Sequence, residues 1–200
     1  MRTLQFEEVI SHAEFIRLDQ IPGISVDLRY ASTNNFVGRK LYAQIDCSYL
    51  HRIAAHALGQ AALQLSSKNY SLLVLDALRP QRIQEQMWDA LQGTDLIQYL
   101  AEPKRGSIHS YGMAVDVTLL DADGCEVDMG SGFDAMVDTS HTDREPQLLA
   151  EKRLTSAQYN HRLLLRSAMQ SAGYQSISTE WWHFDCGDRA QVRATMARVL

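Results

Sequence analysis

With 200 residues, 46% of them hydrophobic and 22% charged, and only 4 prolines and 11 glycines, the chain has the make-up of one globular domain over residues 1–200. That excludes a cross-linked mini-protein, a disordered segment and a low-complexity repeat. Nineteen Lys and Arg against 24 Asp and Glu leave a net charge of −5 with both signs interspersed, so no basic footprint for nucleic acid is present.

The chain opens on Met1-Arg2-Thr3-Leu4-Gln5-Phe6-Glu7-Glu8, with acids where a signal peptide needs an apolar run. No stretch approaches the roughly 18 apolar residues of a membrane span. Cys47, Cys125 and Cys186 are odd in number and never in a C-x-x-C spacing, which suggests neither a disulfide framework nor a cysteine zinc site. The expectation is a soluble, cytoplasmic protein with no nucleic-acid or membrane partner.

Period-two alternation over Ile24–Tyr30 predicts a half-buried strand, ended by the polar Ser32–Asn35. From about Tyr49 to Leu65 the spacing of Leu50, Ile53, Ala54, Ala61 and Leu65 predicts a long helix with one packed face. Ser71–Leu75 is a short apolar run and reads as a buried central strand. After Arg79-Pro80, residues Gln81–Leu91 predict a helix with Ile83, Met87 and Leu91 on one stripe. Gly112–Leu120 predicts another strand, and the polar stretch from Asp121 to about Arg144 a hairpin or functional loop. A helix over Ala157–Ala172 stopped by Gly173, a short strand near Tyr174–Ile177 and a last helix from about Asp188 complete the pattern. Strands and helices without strict alternation predict an α+β fold, a small and mostly antiparallel sheet flanked by helices.

Two segments concentrate the chemistry. Ser107–Asp116 holds His109 and Asp116, and Glu180-Trp181-Trp182-His183-Phe184-Asp185 holds Glu180 and His183. Two histidines and one aspartate with an open fourth position make a catalytic zinc site. His109 and Asp116 are seven apart, so a turn at Gly112 feeding a strand from about Ala114 must bring them together. Asp116 sits in the apolar run Ala114–Leu119, where an unpaired carboxylate is costly; a metal offsets that cost, and so would an arginine or backbone amides. Glu180 and His183 fall on opposite faces of a regular strand, so both reach one site only across a turn or bulge. If they do, Glu180 is placed to deprotonate water at the metal and to protonate the leaving amine. Taken alone, a buried histidine is more often a hydrogen-bonded core residue than a ligand. His12, His51, His56, His141 and His161 lack such a context and read as surface or structural. Arg79, just past a buried strand, either pairs with Asp76 or meets an oxyanion.

The pattern Ser-x-His-x-x-Gly-x-Ala-x-Asp at 107–116, followed by Glu-x-x-His at 180–183, resembles the zinc D-alanyl-D-alanine dipeptidases of the vancomycin-resistance type. Asp27-Leu28-Arg29-Tyr30-Ala31, Asn35-Phe36-Val37-Gly38, Arg79-Pro80, Met129-Gly130-Ser131-Gly132-Phe133-Asp134 and Ser140-His141 carry the resemblance over about residues 24–186. The histidine and aspartate motif alone would indicate the wider zinc D,D-peptidases, whereas Glu-Trp-Trp-His with Met-Gly-Ser-x-Phe-Asp points to the dipeptidase branch.

The resemblance implies the Hedgehog/DD-peptidase-like fold and one Zn2+ per chain on His109, Asp116 and His183. It also implies Glu180 as general base and acid, and Arg79 as stabiliser of the oxyanion. Asp134 would bind the free amino group of a small dipeptide, with Ser107 and either Tyr42 or Tyr30 completing the pocket. The activity implied is hydrolysis of D-alanyl-D-alanine to D-alanine; the alternative is a zinc D,D-carboxypeptidase acting on longer peptidoglycan peptides. The segment between Arg79 and Ser107 is shorter than in the resistance-type members, which implies a reduced rim.

Overall fold

The structure, a computed structural model, describes residues 2–200. In chain order it runs β1 (Arg2–Leu4), α1 (Phe6–Val9), β2 (Phe15–Arg17), β3 (Ile24–Val26), β4 (Tyr49–His51), α2 (Arg52–Ser66), β5 (Ser71–Asp76) and α3 (Gln81–Leu91). It continues with β6 (Ala114–Leu120), α4 (Glu145–Ala150), α5 (Ser156–Ser171), β7 (Tyr174–Ser176), β8 (His183–Cys186), α6 (Arg189–Thr195) and β9 (Ala197–Val199). The architecture is α+β. Its main sheet has the order β3-β5-β6-β8-β7, with β3 parallel to β5 and every other pair antiparallel.

β5 and β6 lie inside this sheet and are buried on both faces, which explains why they read as unbroken apolar runs. Leu72, Val74, Val115, Val117 and Leu119 join the main core with Ala54, Leu58, Ala61 and Leu65 of α2 and Leu165, Ala168 and Met169 of α5. Leu73, Leu75 and Leu120 face the other way and pack with Phe133 of the long loop. A side-chain period of two therefore places Asp116 on the face opposite the α2/α5 helices. α3 buries Ile83, Met87 and Leu91 as the stripe predicts. α5 is capped by Thr155 through a reciprocal box with Gln158, and Gly173 follows it with φ 99°.

Two predicted elements are corrected. Tyr49–His51 is not the first turn of the long helix but a strand paired with Phe15–Arg17; the helix begins at Arg52, and Ile53, assigned to its packed face, is 47% exposed. Tertiary pairing here overrides local spacing. The strand predicted over Ile24–Tyr30 stops at Val26, and Arg29–Ala31 closes into a 3-10 turn that carries Tyr30 inward. The pairing of β1 with β9, which joins the two ends of the described chain, left no sequence pattern, because three residues cannot display a period.

Gly112 ends the 3-10 turn Ile108–Tyr111 in the left-handed region, φ 64°. A Cβ there would lie 2.7 Å from the His51 backbone nitrogen and 2.9 Å from the Phe15 ring. Only glycine allows β4 to approach this closely, and the contact fixes the turn that brings His109 over β6.

Candidate active site

His183 opens β8 and is the direct cross-strand partner of Asp116 in β6, so both side chains project from one face. The turn ending at Gly112 lays His109 beside them. His183 Nδ1 is 3.0 Å from Asp116 Oδ1, His109 Nε2 is 3.2 Å from His183 Nδ1, and His109 Nε2 is 3.4 Å from Asp116 Oδ1. Ligand atoms about 2.0–2.1 Å from a tetrahedral ion are themselves about 3.3–3.4 Å apart, which is the spacing of this triangle. Among the described residues it is the one group of three with metal-ligating geometry.

The outer hydrogen bonds set which nitrogen faces inward. His109 Nδ1 lies 2.7 Å from the carbonyl oxygen of Ala77, which only accepts, so Nδ1 carries the hydrogen and the Nε2 lone pair points into the triangle. His183 stands between two carboxylates, with Nε2 3.0 Å from Asp185 Oδ1 and Nδ1 3.0 Å from Asp116 Oδ1. With Nε2 donating to Asp185 and Nδ1 bare, three acceptors converge with no donor of their own, so the triangle calls for positive charge, as a proton on Nδ1 or as a cation. The electrostatics show the same demand. Burial opposes ionisation of Asp116, yet His109 and His183 hold its carboxyl well below the usual carboxylate range. Burial likewise opposes charge on His183, yet Asp185 and Asp116 push its pKa well up. The donor set fits a dication such as zinc.

Asp185 was not singled out from the sequence, although its spacing of two from His183 places both on one strand face. It is buried, and Arg189 pairs with its second oxygen.

The cleft beside the triangle holds about 230 Å³ and is lined by Tyr30, Arg79, Ser107, Asp134 and Glu180 among others. It lies below the ~300–1,000 Å³ of pockets that take drug-sized ligands. A larger apolar groove of about 560 Å³ runs along the outer side of α2, with Arg52 and His56 as its ionisable lining groups and no comparable constellation.

Glu180 reaches the cleft because the chain bends irregularly through residues 178–182 before β8 begins, so strand alternation never applies to it. Burial pushes its pKa up to about 7, with His183 and Arg79 pulling down and Asp116 adding to the rise. Arg79 is buried and both pairs with Asp76 and faces the site. Its Nε and Nη2 donate to Asp76 Oδ2 at 2.9 and 2.7 Å, Nη1 donates to Gln84 Oε1 at 3.1 Å, and Nη2 lies 3.5 Å from Asp116 Oδ2. Its guanidinium carbon sits 5.2 Å from the centre of the Tyr30 ring.

Asp134 enters from the long loop, where it and Met136 adopt left-handed φ values of 58° and 45°. Such positions cost about 1–3 kcal/mol each and persist where surrounding structure enforces them. Tyr30 donates its hydroxyl to Asp134 Oδ2 at 2.8 Å. Burial first, and the Asp116 charge second, still push the Asp134 pKa well up. Among the described residues no cation lies within ion-pair distance of Asp134. Ser107 lines the cleft at the start of the 3-10 turn. Tyr42 stands behind the cleft wall: its buried hydroxyl donates to Asp76 Oδ1 at 2.6 Å, so it steadies the partner of Arg79. In the segment between Arg79 and Ser107, residues 98–101 line the cleft, and Tyr99 Oη lies 3.0 Å from His141 Nε2.

Residues 11–199 match the M15 peptidase family described as D-ala-D-ala dipeptidase. A protein of Escherichia coli strain K12 named D-alanyl-D-alanine dipeptidase is 36% identical over 164 residues, 82% of this chain and 79% of its own length. One of the same name from Enterococcus faecalis is 31% identical over 195 residues, 85% of this chain and 90% of its own. Among solved structures, the LdcB LD-carboxypeptidase superposes with a TM-score of 0.50 at 14% identity over 92% of this chain and 72% of that one, a likeness of fold alone. The family match takes in all but the first ten residues and the last, and with it the whole of the cleft: the chain belongs to the D-ala-D-ala dipeptidase family of peptidases.

Proposed function

We propose that the protein hydrolyses D-alanyl-D-alanine to free D-alanine, with the whole chain acting as one zinc dipeptidase domain. The observation that carries this reading is Asp134, a carboxylate without a cationic partner in the small cleft that also holds the metal triad and Glu180. A substrate ammonium group supplies the missing charge, and an acylated amine leaves it missing.

His109, Asp116 and His183 would hold the zinc, which would supply Lewis acidity toward water and toward the peptide carbonyl. Glu180 takes the proton of the attacking water and returns it to the nitrogen of the leaving D-alanine. Arg79, already fixed by Asp76 and Gln84, meets the negative charge that develops on the carbonyl oxygen without having to reorganise. Asp134 holds the amino end, Tyr30 orients Asp134 through its hydroxyl, and Ser107 offers a further hydrogen bond at the wall.

D-Alanine release from the free dipeptide and from its N-acetyl form, measured on protein of known zinc content, tests the reading. The free form is expected to be favoured by ~100-fold or more in kcat/KM. Asp134→Asn narrows that ratio. Equal or faster cleavage of the acylated form would instead make the protein a D,D-carboxypeptidase for longer peptides.

A further inference from the structure

The wall of the cleft formed around Ser107 and α6 is lined by three arginines, Arg105, Arg189 and Arg193, that the mechanism above does not use. Arg189 is committed to Asp185. The other two have no carboxylate. Arg193 is half-buried and its Nε and Nη2 both donate to the carbonyl oxygen of Gly106, at 3.2 and 3.1 Å, with Nη1 3.5 Å from the Arg189 carbonyl. Three of its five N–H groups are thereby used and its plane is fixed. Arg105 is exposed and makes no hydrogen bond or ion pair among the described residues. The two are close enough to oppose each other: burial and then the Arg105 charge lower the pKa of Arg193, against Tyr111, and the Arg189 charge adds to the fall. Like charges gathered at a cleft repel, and an arriving anion relieves the repulsion.

The lining of the cleft thus carries both an acid, Asp134, and the arginine pair. A free dipeptide carries both signs as well: an ammonium group and a carboxylate joined by about two residues of extended chain, ~7 Å. We infer that Arg193, assisted by Arg105, anchors the terminal carboxylate of the substrate beside Ser107. The inference rests on the dipeptidase reading and adds to it a second specificity determinant. Asp134 selects a free amine, and the arginines select a free acid. Arg193 also holds Gly106, the residue before Ser107, so a merely supporting role for it must be separated from an anchoring one.

The ratio of kcat/KM for D-alanyl-D-alanine to that for its C-terminal amide makes this separation, measured for the parent, Arg193→Gln and Arg105→Ala at matched zinc content. Arg105 has no protein partner to lose, so its variant folds even if the Arg193 variant does not. The parent is expected to favour the acid ~100-fold, Arg193→Gln to collapse the ratio through KM, and Arg105→Ala to cut it ~10-fold. Variants that lose acid and amide in equal proportion, or a parent that cleaves the amide as well as the acid, would overturn the anchor while leaving the dipeptidase reading intact. A parent inactive on both would overturn the two together.

Discussion

Glu180→Gln is expected to bind zinc as the parent does and to lose ~10³-fold or more in kcat, whereas His183→Ala is expected to lose the metal itself. The difference follows from what each side chain touches. His183 supplies a corner of the triangle, 3.0 Å from Asp116 and 3.2 Å from His109, and removing it leaves two ligands. Glu180 lines the cleft, where the proposed role is that of proton carrier, and glutamine keeps its size while removing the proton site; general-base catalysis is commonly worth ~10²–10⁴-fold. Zinc content by elemental analysis with single-turnover rates distinguishes the two variants, and a Glu180→Gln protein as active as the parent would remove the residue from the mechanism.

The pH dependence has a defined sign. Without metal, burial raises the Glu180 pKa to about 7 from 4.5, so ionising it costs the folded protein more than the unfolded chain. Metal-free protein therefore loses stability as pH rises from about 4.5 to about 7, and the glutamine variant lacks this loss. A dication beside Glu180 lowers its pKa, so the acid limb of kcat/KM for the loaded enzyme lies below 7.

Arg79→Ala is expected to cost both stability and rate. Asp76 is fully buried and accepts two N–H groups from Arg79 and the hydroxyl of Tyr42; without the guanidinium the carboxylate keeps only the tyrosine as a donor within hydrogen-bond distance. Breaking a buried ion pair from one side costs ~3–5 kcal/mol, a fall in Tm of roughly 10 °C in a chain of this size. The same change removes the donor proposed for the developing oxyanion, a loss expected to be ~10²–10³ in kcat. Combining it with Asp76→Asn separates the effects, because the second change neutralises the stranded charge without restoring the donor. Thermal unfolding should recover in the double variant and turnover should not; recovery of both would reduce Arg79 to a structural role. Arg79→Lys is not a conservative alternative, since one ammonium cannot reproduce the two bonds to Asp76, the bond to Gln84 and the face-on contact with Tyr30.

The chemistry of the site was more legible than its scaffold. His109 and Asp116 could be joined on paper, because a glycine between them and an apolar run after them dictate a turn entering a strand. Glu180 looked geometrically awkward only as long as a strand was assumed to reach back to it; the bend through 178–182 removes the difficulty, and no local pattern announces it. Asp185 was visible as a residue two positions from His183. Its task depends on which imidazole nitrogen faces inward, a fact of tertiary hydrogen bonding. Tyr42 and Arg193 show the limit from two sides. One is a tyrosine that matches the family's pattern only loosely and whose hydroxyl is spent 34 residues away on Asp76, and the other is an unremarked helical arginine that meets Gly106 across 87 residues of sequence. The fold class followed from element order, while the three-residue strands β1, β2, β4 and β9 escaped, since their stability comes from the partner and not from their own sequence.

One of those short strands has a reach beyond its size. β9 follows α6 directly and is held parallel to β1 through Arg2↔Ala197, Thr3↔Arg198 and Leu4↔Val199, while Leu200 donates to the Leu4 carbonyl at 3.0 Å. Arg198 in turn reaches the Pro103 carbonyl at 3.3 Å, on the segment that carries Arg105 and Gly106. The stretch from His183 to Val199 is thus moored twice, by β6 at the His-Asp-His triangle and by β1 at its far end. Residues 2–4 are therefore tied, through β9 and Arg198, to the segment that carries Arg105 and Gly106. Removal of residues 2–4 is expected to loosen that wall while the triangle, moored at its own end, keeps its shape.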